Sequence, residues 1–337
     1  MNEVEQGRGA AAAEVSVVIL TGGGRLILDR TLDSVLADPG TAEVVIVLDA
    51  QYAVGDTAAA RVAAIKARSQ GDQRLRVVPL PADDGKGLWR VQRGRDAGVE
   101  AARSEVVLML DDDVVLHPGV VAGHACGHAE EANLVLIGYM PVATHYRWPR
   151  TDATVRVYSD SYEHQCNEYE RNPESMLKGL WGGNVSVRRA DWLRAIQRPR
   201  IAAWGHDDQE VGLLFLREGL QARFDRSLRG DHYYERSLSR LVERAEKSPP
   251  AQVQLSAANP DLLEAPVRRH VPWTLVRALR SPLVWGVVRG ALEIGIALTG
   301  ALRLGAAGKA GAGVLWTLAR ARAEDAGRGS PAVPPAS

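Results

Sequence analysis

Apolar and polar positions fall into alternating blocks through the first third of the chain, each with its own period. Residues 15–20 form a β-branched run, followed by Thr21-Gly22-Gly23-Gly24 and an amphipathic stretch that closes at Asp38-Pro39-Gly40. That pattern predicts strand, turn and helix. Residues 44–48 read as a second buried strand ending at Asp49, with a crossover helix over 58–68 and a third strand over 74–80. A helix over 96–103 then leads into the apolar run 106–110, which stops abruptly at Asp111-Asp112-Asp113. The βαβα order predicts a mostly parallel sheet with right-handed crossovers, and it puts acids 49, 111 and 113 at the carboxyl edge where such sheets bind ligands.

Burying an unpaired carboxylate is costly, so a core strand that ends in three acids implies a cation or ligand beside them. Asp111 and Asp113 share one side of an extended backbone and offer the hard oxygen donors that Mg or Mn prefers. A solvated turn with a helix-capping Asp is the alternative. Asp49 can accept a hydrogen bond from a pyrimidine imide, or form a turn; Arg95 offers a fork suited to phosphate, or a surface ion pair with Asp96 or Glu100. Asp84-Gly85-Lys86-Gly87 lacks the spacing of a P-loop, which argues against an NTPase.

The 337 residues, 46% of them hydrophobic, suffice for one large α/β domain with appendages. Forty-one basic against 41 acidic residues give no electrostatic footprint for nucleic acid. Two cysteines, Cys126 and Cys166, supply no disulfide framework and fit a reducing compartment. Residues 1–13 lack the apolar stretch of a signal peptide, so a disordered start and cytoplasmic residence are expected; 324–337 read as a disordered tail.

Five segments together, VSVVILT, EVVIVLD, GRDAGVEAARSEVVLMLDDD, LWGGNVSVRR and WGHDDQEVGLLF, resemble the family 2 glycosyltransferases of GT-A fold in order and spacing, over about residues 14–235. The resemblance implies a GT-A domain over 14–245, with a nucleotide-binding half (14–117) and an acceptor half (118–245). It also implies a nucleotide-sugar donor, a divalent cation (Mn or Mg) and inversion at the anomeric carbon. On the donor side it implies Asp49 at the base, Arg95 at the nucleotide or diphosphate, and Asp111 and Asp113 at ribose and metal. Thr21, Asp112, Gly183 and Asn184 complete that set. Two departures stand out: Leu48-Asp49 where the family often has two acids, and Asp96 where it has Asn.

The second half is expected to hold the acceptor and the base. Gly182-Gly183-Asn184 lets backbone approach a sugar closely, and Trp181 and Trp204 offer faces for it. Asp207 and Asp208 open a helix over 209–217; one can be a cap, but not both. Inverting transfer needs a base for the acceptor hydroxyl. Because WGHDD resembles the WGGED-like pattern of related transferases, Asp208 is assigned that role and Asp207 the orienting of the acceptor, though the order could be reversed. His232 matches a position where many GT-A enzymes add a metal ligand, and a structural histidine fits equally well. His124-x-Cys126-x-His128 has zinc-like spacing but no second ligand pair, and reads as a packing helix; Cys166 near His164 reads as helix, not nucleophile.

Beyond Glu246 the prolines 249, 250 and 260 predict a linker over 246–270, followed by an apolar helical extension over 271–323. Arg280, Arg289, Glu293, Arg303 and Lys309 leave charge-free runs about half the ~20 residues a spanning helix needs. The expectation is a peripheral helix at the inner face of the membrane, with Trp273, Trp285 and Trp316 near the headgroups and a glycan or lipid-linked acceptor. Packing on the catalytic domain or on a second subunit is the alternative. Two other function classes stay open. A sugar nucleotidylyltransferase shares the sheet and the glycine-rich loop, and an inactive sugar-binding scaffold needs no chemistry.

Overall fold

The computed structural model describes residues 14–22, 27–49, 56–82, 88–143, 152–202, 204–234, 236–264, 271–302 and 304–326. Gly23, Gly24, the Gly85-Lys86-Gly87 segment, Arg303, the Trp273 side chain and the predicted disordered start lie outside the described residues. The first half follows the expected alternation: β1 (Val15–Thr21), α1 (Leu28–Leu36), β2 (Thr41–Leu48), α2 (Asp56–Gly71), β3 (Leu75–Pro79), α3 (Arg90–Ala101) and β4 (Val106–Asp111). Then come β5 (Val114–Leu116), α4 (Val120–Glu130), β6 (Leu134–Tyr139), α5 (Asp152–Arg171), β7 (Asn184–Arg188), α6 (Arg189–Ala195), α7 (Asp207–Arg217) and β8 (Gln221–His232). Helices α8 (Leu238–Ala258), α9 (Trp273–Leu279), α10 (Pro282–Ala301) and α11 (Gly305–Ala326) close the chain.

One sheet runs β3-β2-β1-β4-β7-β6-β8-β5. Strands β1 to β4 are mutually parallel, whereas β7 runs antiparallel between β4 and β6. Because successive side chains on a strand face opposite ways, β1 feeds two cores: Val17 and Ile19 meet Leu32 and Val35 on one face, while Val18 meets Val99 and Met109 on the other. Registers Leu20↔Asp111 and Thr21↔Leu48 align the carboxyl ends of β1, β2 and β4, so Thr21, Asp49 and Asp111 share one edge.

Of the linker expected over 246–270, residues 246–258 are helix. Helix α8 runs through Pro249 and Pro250, with Ala245, Ser248, Pro249, Ala251 and Leu255 buried. Each proline removes an i→i−4 hydrogen bond, but this buried face and the tie from Ser248 to His206 (2.8 Å) hold the helix in place. The first three residues of the expected tail, 324–326, are helical instead, since α11 continues to Ala326 and Arg320 pairs with Glu324 at 2.9 Å.

The tryptophan anchors require a second correction. Trp285 is buried and Trp316 partly so, in a core with Val242, Ala245, Leu279 and Leu315. Helix α10 turns Trp285, Val288, Leu292 and Ile296 inward at helical spacing, which takes these rings away from any headgroup.

Candidate active site

Most of the predicted site residues line one cleft of about 720 Å³ at the carboxyl edge of the sheet. Its floor carries Thr21, Asp49, Asp111, Asp112 and Asp113; Trp181, Gly182, Trp204, Asp207 and Asp208 lie opposite, and His232 closes one side.

Asp111, Asp113 and His232 each point a ligand atom into one spot, all within 4.8 Å of one another. Asp111 comes from the end of β4, Asp113 from the turn after it and His232 from the end of β8, which β5 pairs back at Val114↔His232. The His232 Nε2 lies 3.2 Å from Asp113 Oδ1, and Tyr158 on α5 meets the other ring nitrogen at 3.2 Å, so the imidazole is oriented from behind. Burial pushes the Tyr158 hydroxyl well above the usual phenol range, with Asp111 adding to it, so it stays protonated. Tyr234 stacks on Tyr158 with centroids 3.8 Å apart, which fixes that ring.

Arg95 sits at the centre of the acids. Its Nη1 donates to Asp207 Oδ2 at 2.8 Å and to Asp208 Oδ1, and its Nη2 lies 3.8 Å from Asp111. Burial disfavours the guanidinium charge, but Asp208, Asp207 and Asp111 more than offset this and hold its pKa high. The alternative of a surface pair with Asp96 fails, because Asp96 instead binds Trp192 Nε1 (3.0 Å) and Arg200 (2.8 Å). Burial, followed by the neighbouring Asp208 charge, raises Asp207 to about 6 despite Arg95. Asp111 is likewise raised, first by burial and then by Asp113, while Arg95 opposes; 41% of its side chain still faces the cleft. Three carboxylates around one guanidinium leave negative charge uncompensated, and the oxygen-rich donor set with one imidazole fits a hard divalent cation.

The paired glycines explain how the acids approach. Gly183 has φ +109°, and a Cβ there would lie 2.7 Å from Asp111 Oδ2 and 2.9 Å from Met140 Sδ. At Gly182 a Cβ would crowd Asp208 and come 3.2 Å from Arg95 Nη2. Gly183→Ala is therefore expected to lower stability by about 1–2 kcal/mol for the left-handed backbone alone. It should also displace Asp111, and denaturant midpoint together with Mn-dependent ligand binding would register both losses.

One predicted donor-side residue departs from expectation. Asn184 does not line the cleft: its side chain is fully buried, donating to the Leu228 carbonyl (2.9 Å) and meeting His124 Nε2 (3.1 Å). His124 and His128 share the Ser186 hydroxyl at 2.8 Å each, and burial lowers their pKa values to about 3 and about 4. The zinc-like spacing thus serves a neutral core network that anchors β7. Asp112 faces Thr21, accepting its hydroxyl at 2.6 Å, which ties β1 to the acid turn.

Other residues in the cleft were not anticipated. Arg90 pairs with Asp49, and Trp89, 42% exposed, offers a flat face beside it. Tyr158, Tyr234, Arg236, Arg240 and Arg244 line the far side. Tyr234 and Arg236 follow closely after His232 in the chain, whereas the packing of α3, α5 and α8 brings in the others.

A family model described as "Glycosyl transferase family 2" matches residues 16–188, half of the chain. The chain belongs to glycosyl transferase family 2. No curated protein matches it. Among solved structures it is similar to the mannosyltransferase PcManGT from Pyrobaculum calidifontis in complex with GDP-Man and Mn2+, at 16% identity and TM-score 0.54, covering 94% of this chain and 88% of that one. It is also similar to S. aureus TarS 1–349, at 14% identity and TM-score 0.49, with 94% and 91% covered. The fold of this family 2 glycosyltransferase is GT-A, a mixed and mostly parallel sheet flanked by helices with a C-terminal helical region.

Proposed function

We propose that this glycosyltransferase is metal-dependent and inverting, moving a sugar from a nucleotide-diphosphate donor to an acceptor hydroxyl. One observation carries the reading: the Asp111–Asp113–His232 cluster and the Asp207–Asp208 pair face each other across Arg95 in a single cleft. Asp111, Asp113 and His232 would hold Mn or Mg. That cation would supply positive charge to the departing diphosphate. On the chain's own side, Asp49 and Trp89 receive the base, with Arg90 fixing the Asp49 carboxylate.

Asp208, held by Arg95 at the start of α7, takes the proton of the acceptor hydroxyl as its oxygen attacks the anomeric carbon. Asp207, held by the same guanidinium, orients the acceptor. His206 secures this helix start, contacting Gln209 at 3.1 Å and Ser248 on α8 at 2.8 Å. Trp181 and Trp204 flank the acceptor side.

The reading is tested by thermal shift with nucleotide sugars, with and without Mn, followed by product analysis. Release of nucleoside diphosphate with Mn supports it; formation of nucleoside triphosphate only when pyrophosphate is added would point to a nucleotidylyltransferase, and no product to a sugar-binding scaffold.

The reading extends to peripheral contact with the inner face of a membrane, and to a glycan or lipid-linked acceptor. Helix α10 leaves Leu283, Val287, Ile294, Leu298 and the following Leu302 exposed, Leu283 at 77%, while its opposite face packs on α11. Residues Pro282–Thr299 are long and apolar enough to cross a bilayer, with mean hydropathy 1.3. The packed face and the Arg289–Glu293 pair (2.8 Å) favour lying in the interface over spanning it. Val287→Glu with Ile294→Glu is expected to abolish co-sedimentation with anionic vesicles without changing the melting temperature. A wild-type chain that never sediments with them would remove the membrane contact.

A further inference from the structure

The wall of the cleft nearest the proposed base carries positive charge for which the reaction described above has no use. Arg240 and Arg244 stand one turn apart on α8 and both line the cleft, as does Arg236 just before the helix. Glu243, the acid among them, is matched twice, by Arg240 and by Lys247 at 2.7 Å each. Arg236 lies over the Tyr234 ring at 5.8 Å, and its carbonyl is held by Thr154 at 2.7 Å. Arg244 makes no ion pair or hydrogen bond among the described residues. A guanidinium left this way beside a cleft is a binding group for a planar or tetrahedral anion.

Position decides which anion. The field of Arg244 falls on Asp207 and His206, at the helix start that carries the proposed base, and also on Tyr158 of α5. The foremost cation acting on Asp111, in the metal-ligand cluster, is instead Arg95. An anion held by Arg244 and Arg240 therefore lies on the side from which the attacking hydroxyl must come. Lys247, 5.2 Å from the Trp204 ring, extends the basic track past the acceptor-side tryptophan.

We propose that Arg236, Arg240 and Arg244 form an acceptor subsite for a phosphate group, so that the sugar is moved onto a phosphate-bearing acceptor. The proposal rests on the glycosyl-transfer reading and names its acceptor class. The phosphate can come from a soluble or glycan-borne ester, or from a lipid.

Isothermal titration of the full chain, with Mn and the nucleoside diphosphate selected by the donor screen held saturating, tests this with glycerol 3-phosphate against glycerol. A parallel flotation assay uses phosphatidylcholine vesicles with and without phosphatidic acid. Wild type is expected to bind glycerol 3-phosphate in preference to glycerol, or to bind vesicles more tightly when phosphatidic acid is present. Arg240→Ala with Arg244→Ala should weaken that preference by about 10–100-fold, while nucleoside diphosphate affinity stays unchanged. Both side chains are exposed, so unchanged nucleotide affinity also reports an intact fold. A response to glycerol 3-phosphate alone identifies a soluble or glycan-borne phosphate; a response to phosphatidic acid alone identifies a lipid phosphate. Absence of both responses overturns the subsite. So does a double variant that binds the anion normally, or one that loses the nucleotide instead, since the arginines would then serve the donor. A wild-type chain that binds no nucleoside diphosphate with Mn rejects the glycosyl-transfer reading, and this subsite with it.

Discussion

Asp208→Asn is expected to lower turnover by roughly 10²–10⁴-fold, the usual share of a positioned general base, while donor affinity changes little. The amide keeps the shape of the carboxylate but cannot take the acceptor's proton. Arg95 would keep Asp207 and Asp111 as partners, so the cleft should hold its form. Single-turnover kinetics separate the two effects, because binding and chemistry are then read independently. Near-normal turnover would move the base to Asp207, whose pKa near 6 already suits the task.

The same pair sets a pH dependence. Burial and the Asp208 charge raise Asp207 to about 6, so below that pH Asp207 is protonated and no longer orients the acceptor as a carboxylate. The profile of kcat/KM should therefore rise through an acidic limb near 6 and level above it. Asp207→Asn is expected to remove that limb, since the group that titrates there is gone. For folding, the raised pKa means that the native chain keeps a proton which the unfolded chain releases. This contribution to stability is present below the unfolded value of about 3.8 and is lost as the pH rises through about 6.

The nucleotide half was readable because local pattern and tertiary role coincide there. β1, β2 and β4 are mostly apolar strands buried on both faces, and each ends at or just before a polar residue that must then stand at the carboxyl edge. The acceptor half was less readable for the converse reason. The resemblance did point to His232, which the three-residue β5–β8 pairing carries to the acids, but Tyr158 arrives through α5, which no short motif encodes. Asn184 misled because its neighbours Gly182 and Gly183 do approach the site, yet alternation along β7 turns its amide into the core. Pro249 and Pro250 misled because propensity is local, whereas the burial that keeps α8 helical is not. In the C-terminal helices, composition showed an apolar extension but not which residues face inward, and Trp285 went to the core while Leu283 stayed outside.

Asp113→Ala should remove Mn-dependent donor binding, with a loss of more than about 100-fold, since changes in groups that merely orient a ligand already cost 10–100-fold. Asp113 is the most enclosed acid of the cluster, 3% exposed and 3.2 Å from His232. Without its carboxylate the remaining donors are Asp111, already drawn toward Arg95, and an imidazole that has lost its partner. Tyr158→Phe tests the same geometry from behind. It leaves all three ligand groups in place and removes only the hydroxyl on the far nitrogen of His232, so the loss should fall within about 10–100-fold. Titration of the donor with and without Mn measures both variants. If Asp113→Ala bound donor as wild type does, with the same response to Mn, the cation would have to sit elsewhere and the acids at the end of β4 would be structural.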